Sequence, residues 1–208
     1  MKSFKLKVLV VGLALQISGC AGVGIVETSS PLNKLADAEY LIKATNRVLP
    51  AEKLIWEAIA IYQESNDLHG LGNAYRTYSE LLKSKAISVE LAKYYQTNGF
   101  RDKSVTFDNR IAKSQEYFAK AFDYYLKAEQ PLREAKRFDA LTNLFWNLGH
   151  IYVLRGEGVA ACTNYDKSLE AFNENIRLNP TVKPRTDGLN GTFPEAIAKV
   201  KKSVNCSD

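Results

Sequence analysis

Residues 143–173 read NLFWNLGHIYVLRGEGVAACTNYDKSLEAFN, and the spacing of large and small side chains within them decides the fold. Phe145, Leu148 and Tyr152 precede a break at Gly156, spaced as one face of a helix. After the break come Ala161, Tyr165 and Ser168: a small residue, a ring four positions later, and a small residue three after that. Such a triplet lets a second helix approach closely, because the small side chains admit its backbone while the ring fills the gap.

The same device recurs upstream. Residues 51–64 (AEKLIWEAIAIYQE) set Leu54, Ile55, Ala58, Ile61 and Tyr62 on one broad apolar stripe, which predicts a core-facing helix. Residues 111–130 repeat it with Phe118, Ala121, Phe122, Tyr125 and Leu126, and predict a helix ending before Pro131. Between them, residues 71–82 carry Tyr75, Tyr78, Leu81 and Leu82, and residues 89–95 form a shorter amphipathic piece before the Asn98-Gly99 break. Residues 35–48 predict an opening helix that Pro50 interrupts or hands on to the next. Laying residue 51 over residue 114 matches Ile55 with Phe118, Ala58 with Ala121, Ile61 with Tyr124 and Tyr62 with Tyr125, and a third copy starts at Ala161. Strand signals are scarce from residue 35 to residue 178.

The 143–173 unit resembles a tetratricopeptide repeat through Phe145, Leu148, Gly149, Tyr152, Gly156, Ala161 and Tyr165, with Ser168 a mild departure. The other copies depart further: Tyr78 or Ser79 stands where that family has Gly, the copies lie 63 and 47 residues apart instead of 34, and residues 97–108 interrupt the stacking. The resemblance implies an all-α, solenoid-like body of two to four stacked antiparallel helical hairpins over residues 35–178. It also implies that the first helix of each hairpin lines a concave groove. On this chain the groove positions are Asn143, Trp146, Asn147 and His150, with Val153 one turn further. Asn can hydrogen-bond an extended backbone through both ends of its amide, and Trp offers a large contact area with a donor. The competing reading is a Trp packed between repeats beside polar residues that merely face water.

Residues 179–208 read as a Pro- and Gly-broken linker followed by a capping helix. Thr192 and Glu195 form a capping box. Phe193, Ile197, Val200 and Val204 share one face, and Lys199, Lys201 and Lys202 point away as a solvated one. Cys162 and Cys206 are an even pair in an exported chain, open either to a bridge that ties the chain's end to its body or to two unrelated thiols.

Export itself is read from the start of the chain. Lys2, Lys5 and Lys7 precede the apolar run from Val8, and Ile17-Ser18-Gly19-Cys20 follows it. The run has the length of a signal segment and is too short to span about 30 Å of hydrocarbon. These residues resemble a bacterial lipoprotein signal, which implies that residues 1–19 are removed, that Cys20 is acylated, and that residues 20–34 tether the body to the lipid. Ala21 in place of Asp implies, by the sorting pattern of enteric bacteria, the periplasmic face of the outer membrane, with the inner membrane as the alternative. Removal of three lysines lowers Lys plus Arg from 28 to 25 against 23 acidic residues, a net charge near +2. With mixed signs and no basic tract, nucleic acid is not an expected partner.

No phosphate loop, nucleophile elbow or His-Glu metal motif is present, so neither catalysis, cofactor, metal nor small-molecule substrate is expected. His69, in SNDLHGLG, reads as a solvated loop residue. The expected function is a membrane-anchored scaffold or adaptor that holds a protein or peptide partner for envelope machinery. Its rivals are an accessory or immunity-type lipoprotein of a secretion or pilus system, and a cell-wall hydrolase using Glu57, Glu80 or Asp139, which would need two of those carboxylates converging about 5 to 10 Å apart.

Overall fold

The first helix of the described residues is capped by Ser30, whose hydroxyl accepts the backbone N–H of Asn33, and it carries Pro31 at its first position. The computed structural model describes residues 28–181 and 191–206. The signal segment, Cys20 and most of the 179–191 linker lie outside them. The helices are α1 (Pro31–Thr45), α2 (Val48–Glu64), α3 (Leu68–Leu82), α4 (Lys85–Val89), α5 (Ala92–Asn98), α6 (Arg110–Glu134), α7 (Phe138–Leu154), α8 (Gly158–Leu178) and α9 (Phe193–Ser203). The described chain is all-helical.

Three antiparallel pairs, α1 with α2, α3 with α6 and α7 with α8, make the body, and α2–α3 and α6–α7 packing joins them. The tight connections share one geometry. Asn46, Asn66, Lys136 and Gly156 each hold a left-handed φ, between 52° and 75°, two residues before the next helix starts. Asn and Gly tolerate that region, whereas a lysine there is strained.

Three boundaries differ from the sequence reading. Pro50 falls in the first turn of α2, where its missing N–H has no intrahelical acceptor to lose. Pro131 does not end α6, which runs on to Glu134. Only one turn follows the proline, and it closes through Ala135 N–H to Pro131 C=O at 3.0 Å and Arg137 N–H to Leu132 C=O at 2.9 Å. The expected 89–95 piece divides into parts of α4 and α5.

Helices α4 and α5 belong to an insertion between α3 and α6, and a buried carboxylate fastens it. Glu52 of α2 accepts the Arg101 N–H at 2.8 Å and the hydroxyls of Tyr95 and Tyr78 at 3.3 and 3.4 Å. Burial raises its pKa against the lowering effect of these donors. Tyr95 stacks on Phe100 at 4.2 Å, closing the insertion on itself.

Packing within the pairs follows the small-and-ring pattern. A Cβ on Gly149 would lie 2.5 Å from the ring of Tyr165, and one on Gly72 would lie 2.7 Å from Tyr125. Ser79, at the position where the repeat pattern has Gly, meets another small residue: the Ser114 hydroxyl donates to the Ser79 carbonyl at 3.0 Å. The main core spans α1 to α8, and a second cluster of Ala161, Tyr165 and Ile197 joins α7, α8 and α9. There α9 opens with the Thr192–Glu195 capping box.

Two substitutions test this account. Lys136→Gly relieves the left-handed strain at an exposed turn and is expected to raise stability by about 0.5–1 kcal/mol. Gly149→Ala drives a methyl into a ring that cannot withdraw, and is expected to lower stability by about 1–2 kcal/mol despite better helix propensity. Urea unfolding followed by circular dichroism reads both, and a stabilised Gly149→Ala chain would refute the close-packing argument.

Candidate functional site

The first helices of the three pairs, α1, α3 and α7, are linked side by side through polar side chains. Between α1 and α3, Arg76 donates to Glu39 at 2.6 Å and the Thr77 hydroxyl donates to the same carboxylate at 3.2 Å. Between α3 and α7, Asn147 donates its amide to Asn73 at 3.1 Å, and within α7 it donates to Asn143 at 3.0 Å. His69 Nε2 meets the Asn143 oxygen at 3.0 Å, and the Tyr125 hydroxyl of α6 donates to Asn73 at 2.8 Å. The result is a continuous polar ladder across one face of the stack.

Its charges are internally balanced. Arg76, with a side chain one-fifth exposed, lies between Glu39 and Glu80, and Lys43 reaches both carboxylates at 3.6 Å. Burial disfavours the guanidinium charge, and the acidic groups around it more than restore it, so its pKa lies above the ordinary value. Burial also pushes the Glu39 carboxyl up, but Arg76 and Lys43 outweigh it and hold the pKa below the usual range. The Nε of Arg76 is buried with no hydrogen-bond partner among the described residues.

The five expected groove residues divide into two sets. Asn143 is exposed and Asn147 buried, and both belong to the ladder with α3. Trp146, His150 and Val153 pack with the second cluster. The Trp146 ring lies 4.6 Å from His150, 5.9 Å from Tyr165 and 5.5 Å from Phe193 of α9. His150 Nδ1 is hydrogen-bonded to the Tyr165 hydroxyl. The expected groove positions thus divide between the ladder and this cluster, where α9 seats its first ring on Trp146.

His69 is also relocated. It lies in the first turn of α3, behind the cap that Asp67 gives to Gly70, and is partly buried against Asn143 and Tyr125. Glu39, Asn73 and Arg76 were not among the expected site residues, and Tyr125 was expected only as a core ring. The signal for the α3 pair lay in register: Asn73, Arg76 and Glu80 stand 70 residues before Asn143, Trp146 and His150.

At the C-terminal end, Cys162 and Cys206 are joined by a disulfide with their Cα atoms 5.6 Å apart. Lys201 pairs with Asp166 at 2.7 Å and is not part of the free outer face expected for it, while Lys199 and Lys202 are exposed. Glu57, Glu80 and Asp139 sit on three different helices, each in its own ion pair, with Lys34, Arg76 and Arg137 respectively. Among the described residues no group of three or more His, Cys, Asp or Glu could hold a metal, and no helix is long and apolar enough to cross a membrane. Comparison with family models, curated proteins and solved structures gives no match.

Burial lowers the pKa of both His69 and His150. The Asn143 hydrogen bond opposes the shift at the first, and the charge of Arg76 adds to it at the second. A depressed pKa means that each imidazole is neutral in the fold, so its contribution to stability is complete above the unfolded value near 6.5 and is lost as pH falls through the folded value. The urea midpoint is expected to fall between pH 7.5 and pH 5, and His69→Gln and His150→Gln should each flatten that fall. Identical slopes in all three chains would count against the buried neutral state.

Proposed function

We propose that this chain is a lipid-anchored, non-catalytic scaffold of tetratricopeptide-like, solenoid architecture, working on the periplasmic face of a bacterial membrane, the outer one by its Ala21. The observation that carries the reading is the side-by-side arrangement of α1, α3 and α7, with the ladder His69–Asn143, Asn73–Asn147 and Glu39–Arg76 running across them. A helical pair cannot bury both faces alone, so stacking pairs produces an extended surface whose first helices stand together. Amide and imidazole groups on such a surface offer donors and acceptors to a polypeptide backbone, which has both.

Anchoring follows from the Ile17-Ser18-Gly19-Cys20 reading. Each acyl methylene contributes about 0.8 kcal/mol of membrane affinity, so more than one chain on Cys20 gives lasting attachment. The ten residues between Cys20 and Pro31 reach at most about 35 Å, which keeps the body close to the bilayer. The partner is a protein or peptide of the envelope machinery.

The test uses the full chain in bacterial cells. Cys20→Ala is expected to abolish incorporation of labelled palmitate and to release the protein from the membrane fraction. A photo-crosslinking residue in place of Asn143 should capture a discrete partner, and the same residue in place of the exposed Lys127 on α6 should not. Retention of the label in Cys20→Ala, or equal crosslinking at both positions, would reject the anchor or the binding face respectively.

A further inference from the structure

One α7 side chain expected to meet a partner, Trp146, meets α9, and His150 and Val153 lie in the cluster beside it. Phe193, at the first position of α9, sets its ring 5.5 Å from Trp146 and 4.8 Å from Phe172 of α8. Ile197, 1% exposed, covers Ala161 and Tyr165, and Val200 and Val204 continue the stripe. Lys201 reaches Asp166, and just beyond the helix Cys206 is bonded to Cys162.

The helix and the face beneath it are built differently. The face belongs to α7 and α8, a pair packed along its length, in which Gly149 and His150 fix the Tyr165 ring. Helix α9 has 11 residues, too few to persist alone in water, and only Ile197 is fully buried. Glu195, Lys199 and Lys202 are exposed. A narrow apolar stripe, one ion pair and one covalent bond therefore hold α9 to the α7–α8 pair.

We propose that this α7–α8 face is a docking surface for an amphipathic helix of a protein partner, that α9 fills it in cis, and that the Cys162–Cys206 disulfide keeps it shut. The proposal rests on reading the chain as a protein-binding scaffold. The partner helix carries what α9 carries: an aromatic residue in its first turn, branched aliphatic residues four, seven and eleven positions later, and a cation placed to meet Asp166. While the bridge is closed, the tethered α9 competes at high effective concentration and excludes such a helix.

Opening requires two electrons from a dithiol reductant. Its thiolate attacks one sulfur of the bridge, the S–S bond breaks, and the other cysteine leaves as a thiolate and takes up a proton. The reductant's second thiol, deprotonated, then displaces the mixed disulfide, leaving two protonated cysteines and an oxidised reductant.

The test compares the oxidised full chain, the same chain reduced with dithiothreitol, and Cys206→Ser. Amide hydrogen exchange in α9 is expected to be at least tenfold faster in the last two, with α3 and α6 unchanged. A fluorescent peptide with the sequence of residues 191–205 should bind both opened forms at least tenfold more tightly than the oxidised chain, and the same peptide with Ile197→Asp should not bind. Equal exchange in all forms, equal peptide affinity, or loosening of α3 and α6 together with α9 overturns the proposal. Such failure beside intact crosslinking at position 143 removes the α9 site alone, whereas peptide capture without crosslinking at position 143 removes the ladder as a partner surface.

Discussion

Aromatic rings pressed onto backbone that carries no side chain set the distances between helices in this protein. Tyr62 lies against Gly70, Tyr125 against Gly72 and Tyr165 against Gly149, and a Cβ at any of the three glycines would come within 2.7 Å of a ring atom. The contact does more than exclude water. Because each tyrosine is a rigid amphipathic plate, seating its ring also fixes where its hydroxyl emerges. Tyr125 delivers its hydroxyl to Asn73 and Tyr165 delivers its own to His150. The packing of α6 on α3 and the polar pattern on the candidate face are thus one construction.

That construction explains which parts of the molecule could be read from sequence. The period of three and four, the break at Gly156, the capping box at Thr192 and the small-ring-small triplets are local patterns, and α2, α3, α6, α7, α8 and α9 follow from them. The surroundings of Trp146 could not be read the same way. Its neighbour Phe193 arrives across a linker with no periodicity, and nothing local tells a ring beneath a later helix from a ring facing solvent. His69 was hidden for a related reason: Gly70 and Gly72 suggest a turn, yet both are buried under rings within α3. The role of Glu52 depends on donors 26 to 49 residues away, a separation at which sequence carries no register.

The candidate face is also electrically quiet. Arg76, Glu39, Glu80 and Lys43 balance one another's charge, and burial keeps the His69 imidazole towards the neutral form. Recognition on such a surface depends on hydrogen-bond geometry and shape more than on long-range attraction, which salt screens.

The insertion anchored by Glu52 has a consequence for how the chain assembles. Successive helices elsewhere in the body are separated by two or three residues, but 27 lie between the end of α3 and the start of α6. Closing that span costs about 2 kcal/mol more in chain entropy than closing a three-residue turn. Contacts within α1 to α3 and within α6 to α8 are accordingly local in sequence, and the tyrosine-rich seam between α3 and α6 is the long-range one. Glu52, by holding Arg101 against α2, shortens the free part of that span and turns a floppy crossover into a guided one.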